Sequence, residues 1–232
     1  MVSVNWTTAV TDLTAVVAVL GLAAAGGGAG RLARWALVRS SSPAPLRAGP
    51  CEAGTALCWL LLAWLWQTGI LPGWWLPVPL ALTALGIPLV YADLRYRRLP
   101  DVLTLSAYPI LAFGLTVAAA TGTRPGLLWR ALVVAVLFGG AHAVVHALAP
   151  TALGAGDVKL AGSLGGVLGA SGWAAALVAA FLAAVVTSMF AGVAALAGHR
   201  RWRSGIPHGP GLLLAVTLVA VAGVRYGGGP DG

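Results

Sequence analysis

Eight apolar runs, most of them close to 20 residues long, leave this chain few ways to fold. They cover roughly 9–28, 53–71, 74–92, 102–121, 128–149, 158–172, 174–197 and 207–226. A helix that crosses a bilayer needs about 20 apolar residues, and in lipid the backbone must satisfy its own hydrogen bonds, which such runs do as helices. The expected fold is therefore all-α and polytopic, with about eight transmembrane helices. Composition agrees. The chain is 59% hydrophobic and 9% charged, with mean hydropathy +0.90, whereas a soluble domain carries roughly 25% charged residues. The run at 158–172 is short and glycine-rich, and reads either as a half-span or as a tilted, closely packed helix.

Charge sets the orientation. With the N-terminus outside, the inner loops carry Arg31, Arg34, Arg39 and Arg47, then Arg95, Arg97 and Arg98, then Lys159, then Arg200, Arg201 and Arg203. Arg124, Arg130 and Arg225 fall outside. This is a clear positive-inside bias, and removing one span would invert every later loop. The net charge of +8 thus serves topology. With no basic domain apart from these loops, nucleic acid is not an expected partner; the lipid bilayer is.

Several features have modest readings. The N-terminus lacks a cation before its first apolar run and reads as a retained span, not a signal peptide. Cys51 and Cys58 lack the paired spacing of a structural zinc site; free thiols or one disulfide remain open. Ser40-Ser41-Ser42-Pro43-Ala44-Pro45 reads as a flexible linker. Trp74-Trp75 reads as an interfacial anchor. Gly26-Gly27-Gly28 and the many other small residues suit close helix packing in lipid.

The chain has six acidic residues: Asp12, Glu52, Asp93, Asp101, Asp157 and Asp231. A carboxylate at a membrane boundary is costly and marks a functional candidate. Asp157 lies in Gly154-Ala155-Gly156-Asp157-Val158-Lys159-Leu160, and Asp93 ends the third run. Two intervening spans return the chain to the same inner face, so topology allows the two to meet. Each also reads as a helix cap. As a pair they would share one proton, a state suited to peptide hydrolysis: the ionised member activates water while the protonated one assists the carbonyl and the leaving amine. Gly154 and Gly156 would supply unusual backbone conformations or the close approach of another chain. Asp101 reads as the cap of the fourth helix. Lys159 reads as a snorkelling anchor or as a contact for an acidic group on a substrate.

At these residues the sequence resembles the type IV prepilin peptidases, membrane aspartyl proteases of the Gly-x-Gly-Asp type. The resemblance rests on Asp93 to Thr104, on Gly154 to Leu160, and on Ile206-Pro207-His208-Gly209-Pro210, similar to the proline-glycine-proline segment that opens the family's last helix. It implies that Asp93 and Asp157 form the catalytic dyad, with Gly154, Gly156, Lys159, Pro207, Gly209 and Pro210 in support. It implies a prepilin or pseudopilin precursor as substrate, cut at the cytoplasmic face of the bacterial inner membrane, with no cofactor and no metal. Residues 1–52 would form the first span and a short basic linker, and 53–232 the membrane-embedded peptidase core. Many members carry two C-x-x-C pairs in an insert after span one and also methylate the new N-terminus. The stretch Arg31 to Glu52 holds only Cys51, so the implied activity is cleavage without methylation. His208 stands where an aromatic residue is usual, and reads as a water-facing histidine at a helix start.

Two other readings compete. His142 and His146 share a helix face, but the glutamate of an H-E-x-x-H metalloprotease is missing, which leaves packed or hydrated histidines. Asp93, Asp157 and His146 would also serve as the relay of a proton-coupled transporter, although the acids cluster at one face and no inverted repeat is visible.

Overall fold

The computed structural model describes residues 6–150, 153–196 and 208–226. Among them are eight helices and no strand: α1 (Trp6–Arg39), α2 (Pro50–Gln67), α3 (Pro77–Tyr96), α4 (Asp101–Thr121), α5 (Leu127–Leu148), α6 (Ala155–Ser171), α7 (Ala175–Leu196) and α8 (Gly209–Tyr226). Among the described residues four stretches are long and apolar enough to cross a bilayer: Leu13–Arg39, Pro77–Tyr96, Asp101–Thr121 and Leu127–Leu148. The stretches Ala175–Phe190 and Gly209–Gly223 are apolar but shorter. The molecule is an all-helical, multi-pass membrane protein.

The first helix is much longer than the expected 9–28 and carries Arg31, Arg34 and Arg39 within it. At 1.5 Å per residue, Leu13–Arg39 is about 40 Å long, against a hydrocarbon core of about 30 Å. Its cationic last turns therefore clear the apolar layer without breaking the helix. The chain leaves helical geometry near Pro43, as the residue before a proline disfavours the α region.

The next stretch is not a free linker. Arg98 donates to Ser42 Oγ at 2.6 Å and to the Pro43 carbonyl at 2.7 Å, and Tyr96 OH donates to the Pro45 carbonyl. Ala44 and Leu46 are buried. The strap at 40–49 is thus tied to the end of α3. Gly49 N–H donates to Glu52 Oε2, and Arg34 pairs with Glu52 at 2.7 Å, so the start of α2 is fastened to α1.

Small residues permit the closest helix contacts. A Cβ on Gly165 would lie 2.8 Å from the Val134 carbonyl, one on Gly139 3.0 Å from Gly162 Cα, and one on Gly169 would collide with the Arg130 carbonyl. The 17-residue α6 is buried from Leu160 to Ser171. Its glycines let it press backbone to backbone on α5, which resolves the sixth run in favour of a closely packed helix. Both cysteines are free thiols.

The tryptophan pair departs from expectation. Trp74 meets its neighbour edge to face and lies under Arg124. Trp75, however, is wholly buried, and its indole N–H donates to the Ala220 carbonyl at 2.8 Å. It is a core residue that pins the far end of α8 to the α2–α3 turn. An indole buried with its N–H satisfied contributes both area and a hydrogen bond. Trp75→Ala is expected to destabilise the protein by about 3–5 kcal/mol and Trp75→Phe by about 1–2 kcal/mol, read as the drop in thermal unfolding temperature in detergent.

Candidate active site

The end of α3, the starts of α4, α6 and α8, and the strap gather at one end of the bundle. Asp93 sits in the last turn of α3. Its carbonyl accepts from Arg97 N–H at 2.7 Å, and Arg97 adopts φ 55°. Among the described residues Arg97 is the one non-glycine with positive φ, a conformation that costs about 1–2 kcal/mol. This left-handed residue ends α3 and turns the chain through Arg98-Leu99-Pro100 into α4.

Asp93 is 6% exposed and Asp157 9% exposed. Both lie at this one end of the bundle, and Asp157 is near enough for its charge to bear on Asp93. Each also faces the N-terminus of a helix. Gly209, the first residue of α8, donates its N–H to the Asp93 carboxylate. Gly154, which precedes α6, donates to the Asp157 carboxylate. A helix N-terminus offers free N–H groups and the positive end of its dipole, and so favours an anion. The third segment of the resemblance thus acquires a concrete job: Gly209 supplies the donor, and Pro210 enters the first turn of α8, where a missing N–H costs nothing. Pro207 lies outside the described residues.

Asp157 is in part a helix cap, since its carboxylate accepts from the Gly154 N–H at the start of α6. Capping occupies only one side of the carboxylate. Among the described residues Oδ1 is buried with no hydrogen-bond partner, so that side of the carboxylate is left for another group to meet.

The glycines act by size and not by unusual backbone angles. Gly154 has φ −71°, and Gly156 lies inside α6; neither is among the residues with positive φ. A Cβ on Gly156 would stand 2.9 Å from Leu99 Cβ. A Cβ on Gly209 would stand 2.8 Å from Asp93 Oδ2 and 3.4 Å from Leu99 Cδ2. Leu99, 9% exposed, is thus wedged between the glycine beside one aspartate and the glycine bonded to the other. Sequence reading gave Leu99 no role beyond its place in the motif, because its two contacts come from segments more than 50 positions away.

Lys159 is not a free anchor. Its Nζ donates to both carboxylate oxygens of Asp101 at 2.8 Å, so Asp101 starts α4 as expected but bonds α6 instead of capping its own helix. The side chains are 42% and 59% exposed. Removing either is expected to cost less than about 1 kcal/mol, measured as the coupling energy in a double-mutant cycle of Asp101→Asn and Lys159→Gln.

The histidines also find partners. His146 Nδ1 bonds the Leu153 carbonyl at 2.7 Å, and His142 Nδ1 bonds the Phe138 carbonyl at 2.8 Å. His142 lies within electrostatic range of Asp157. His208 is half-buried and meets Thr187 Oγ1 at 3.2 Å, tying α7 to α8 instead of facing water. Among the described residues no three His, Cys, Asp or Glu side chains gather as metal ligands.

The fold is thus a multi-pass helical protein that gathers two buried carboxylates, each facing the N-terminus of a helix, at one end of the bundle. The model of the type IV leader peptidase family matches residues 80–226, which include Asp93, Asp157 and Gly209, and the chain belongs to that family. It is accordingly a protease of the leader-peptidase kind. No curated protein and no solved structure matches the chain.

Proposed function

We propose that the protein is an aspartyl endopeptidase that removes the basic leader from type IV prepilin-like or pseudopilin precursors at the cytoplasmic face of the bacterial inner membrane. The observation that carries this reading is the pair of buried carboxylates, Asp93 and Asp157, at one end of the bundle and inside the family-matched region. One carboxylate takes a proton from water as the water oxygen attacks the scissile carbonyl. The other, protonated, hydrogen-bonds the carbonyl oxygen. The tetrahedral intermediate then collapses as the leaving amine is protonated, so water is added across one amide bond. Gly209 and Gly154 hold the two carboxylates in place, and Leu99 fixes the spacing of the segments that bear them.

The N-terminus lies outside, residues 53–232 form the peptidase core, and residues 1–52 provide the first span and the strap. With no tetracysteine insert, the product leaves without N-methylation. The alternative, a proton-coupled transporter with His146 as relay, draws less support: one ring nitrogen of His146 is already engaged by the Leu153 carbonyl.

Co-expression with a pilin-like precursor tests the proposal. Loss of the leader should appear as a gel shift that depends on this chain. An unprocessed precursor, together with an ion-dependent flux that requires the same acids, would replace the peptidase with the transporter.

A further inference from the structure

A site at the membrane edge must receive its substrate along the membrane. A segment embedded in lipid is held as a helix, because its backbone has no other hydrogen-bond partners. The fold offers a place for such a helix. An apolar groove of about 510 Å³ runs between α1, α3 and α4, with Trp59 of α2 at its side. On α4 its lining extends from Val102 to Gly114, a rise of about 18 Å, more than half the depth of the hydrocarbon core.

We propose that this groove seats the apolar helix of the leader-bearing substrate; the inference rests on the peptidase reading above. Its floor is made of Ala29, Ala36, Ala81 and Ala84, and its rim of Leu32, Ile110 and Phe113. Small floor residues let the backbone of a visiting helix approach closely, which is how helices associate where lipid removes the hydrophobic driving force. The rim side chains of Leu32, Ile110 and Phe113 are 65%, 41% and 72% exposed, free to close over a guest.

The groove also ends against the turn that leads to the candidate site, which favours the substrate over a second copy of this chain. Val102 lines its end nearest Asp101 and equally lines a second, polar cavity of about 180 Å³ between Ser40–Ser42 and the turn Arg98–Asp101. That turn carries Leu99, which touches the glycines beside both carboxylates. Hydrolysis needs an unwound peptide bond, and a helix leaving the apolar groove would here meet hydroxyl and backbone groups able to receive its freed N–H and C=O groups.

The test uses the full chain reconstituted with a pilin-like precursor. Ala36→Phe on α1 and Ser106→Phe on α4 fill the groove from opposite walls and touch neither carboxylate. Each is expected to raise KM about tenfold with kcat within about twofold, the signature of lost substrate binding. A photo-crosslinking residue at Ile110 should form an adduct with the precursor's apolar helix. Unchanged KM in both variants would assign the groove to lipid and overturn the proposal, as would an adduct formed only with another copy of this chain. A fall in kcat alone would mean damage to the site and would equally refute substrate docking. If the unsubstituted protein leaves the precursor intact, the peptidase reading falls first and the groove proposal with it.

Discussion

Asp93→Asn and Asp157→Asn are each expected to reduce leader cleavage below detection while the protein still accumulates in the membrane. Asparagine keeps the shape of aspartate and its contact with Gly209 or Gly154, but it neither takes nor gives a proton. General acid–base catalysis by one positioned group is worth about 10²–10⁴-fold. Groups that work as a unit are strongly non-additive, so the double variant should be little worse than either single one. Stability is expected to change in the other direction. Among the described residues Asp157 Oδ1 is buried without a partner, and an amide is less costly to bury than a charge, so Asp157→Asn should raise the thermal unfolding temperature. Cleavage that survives either substitution would remove the dyad. A loss of activity that tracks a loss of protein would reduce both residues to structural roles.

Gly209→Ala should have the second largest effect, and for a different reason. The new Cβ would stand 2.8 Å from Asp93 Oδ2, a separation that real Cβ atoms do not sustain, so carboxylate or helix must move. A displacement approaching 1 Å at a catalytic group costs about 10²-fold in rate. Gly154→Ala is the control. Its Cβ would lie 3.3 Å from Asp157 Oδ2, tight but accommodated by a small shift, and activity should stay within about tenfold. Gly156→Ala meets Leu99 Cβ at 2.9 Å and should combine slower cleavage with the about 1–3 kcal/mol cost of overpacking. Measured kcat values in the order Gly154→Ala, Gly156→Ala, Gly209→Ala, from fastest to slowest, would support the size argument. Equal loss at Gly154 and Gly209 would refute it.

Hydropathy was enough for the architecture. Seven of the eight apolar runs coincide with helices to within a few residues, because a helix in lipid is dictated by local composition. The first helix runs past its apolar stretch to Arg39, because cations beyond the apolar layer do not end a helix. The two aspartates were legible because carboxylates are rare in such a chain and expensive at its edge.

What the sequence by itself determined, then, is everything that depends on composition along the chain: the all-helical membrane fold, the family motifs and the two acids worth pairing. Tertiary structure decided what depends on distance between segments far apart in the chain. Trp75 is a core pin instead of an interfacial anchor because α8 passes beside it. Lys159 pairs with Asp101 from another helix. The glycines are needed for what stands against them, Leu99 at one and the Asp93 carboxylate at another, and not for their own φ and ψ. Hydropathy is a sum over neighbours in sequence and can be read from one strand of text. Steric and hydrogen-bond complementarity acts over about 3 Å between residues 50 to 150 positions apart, and it exists only once the helices have packed.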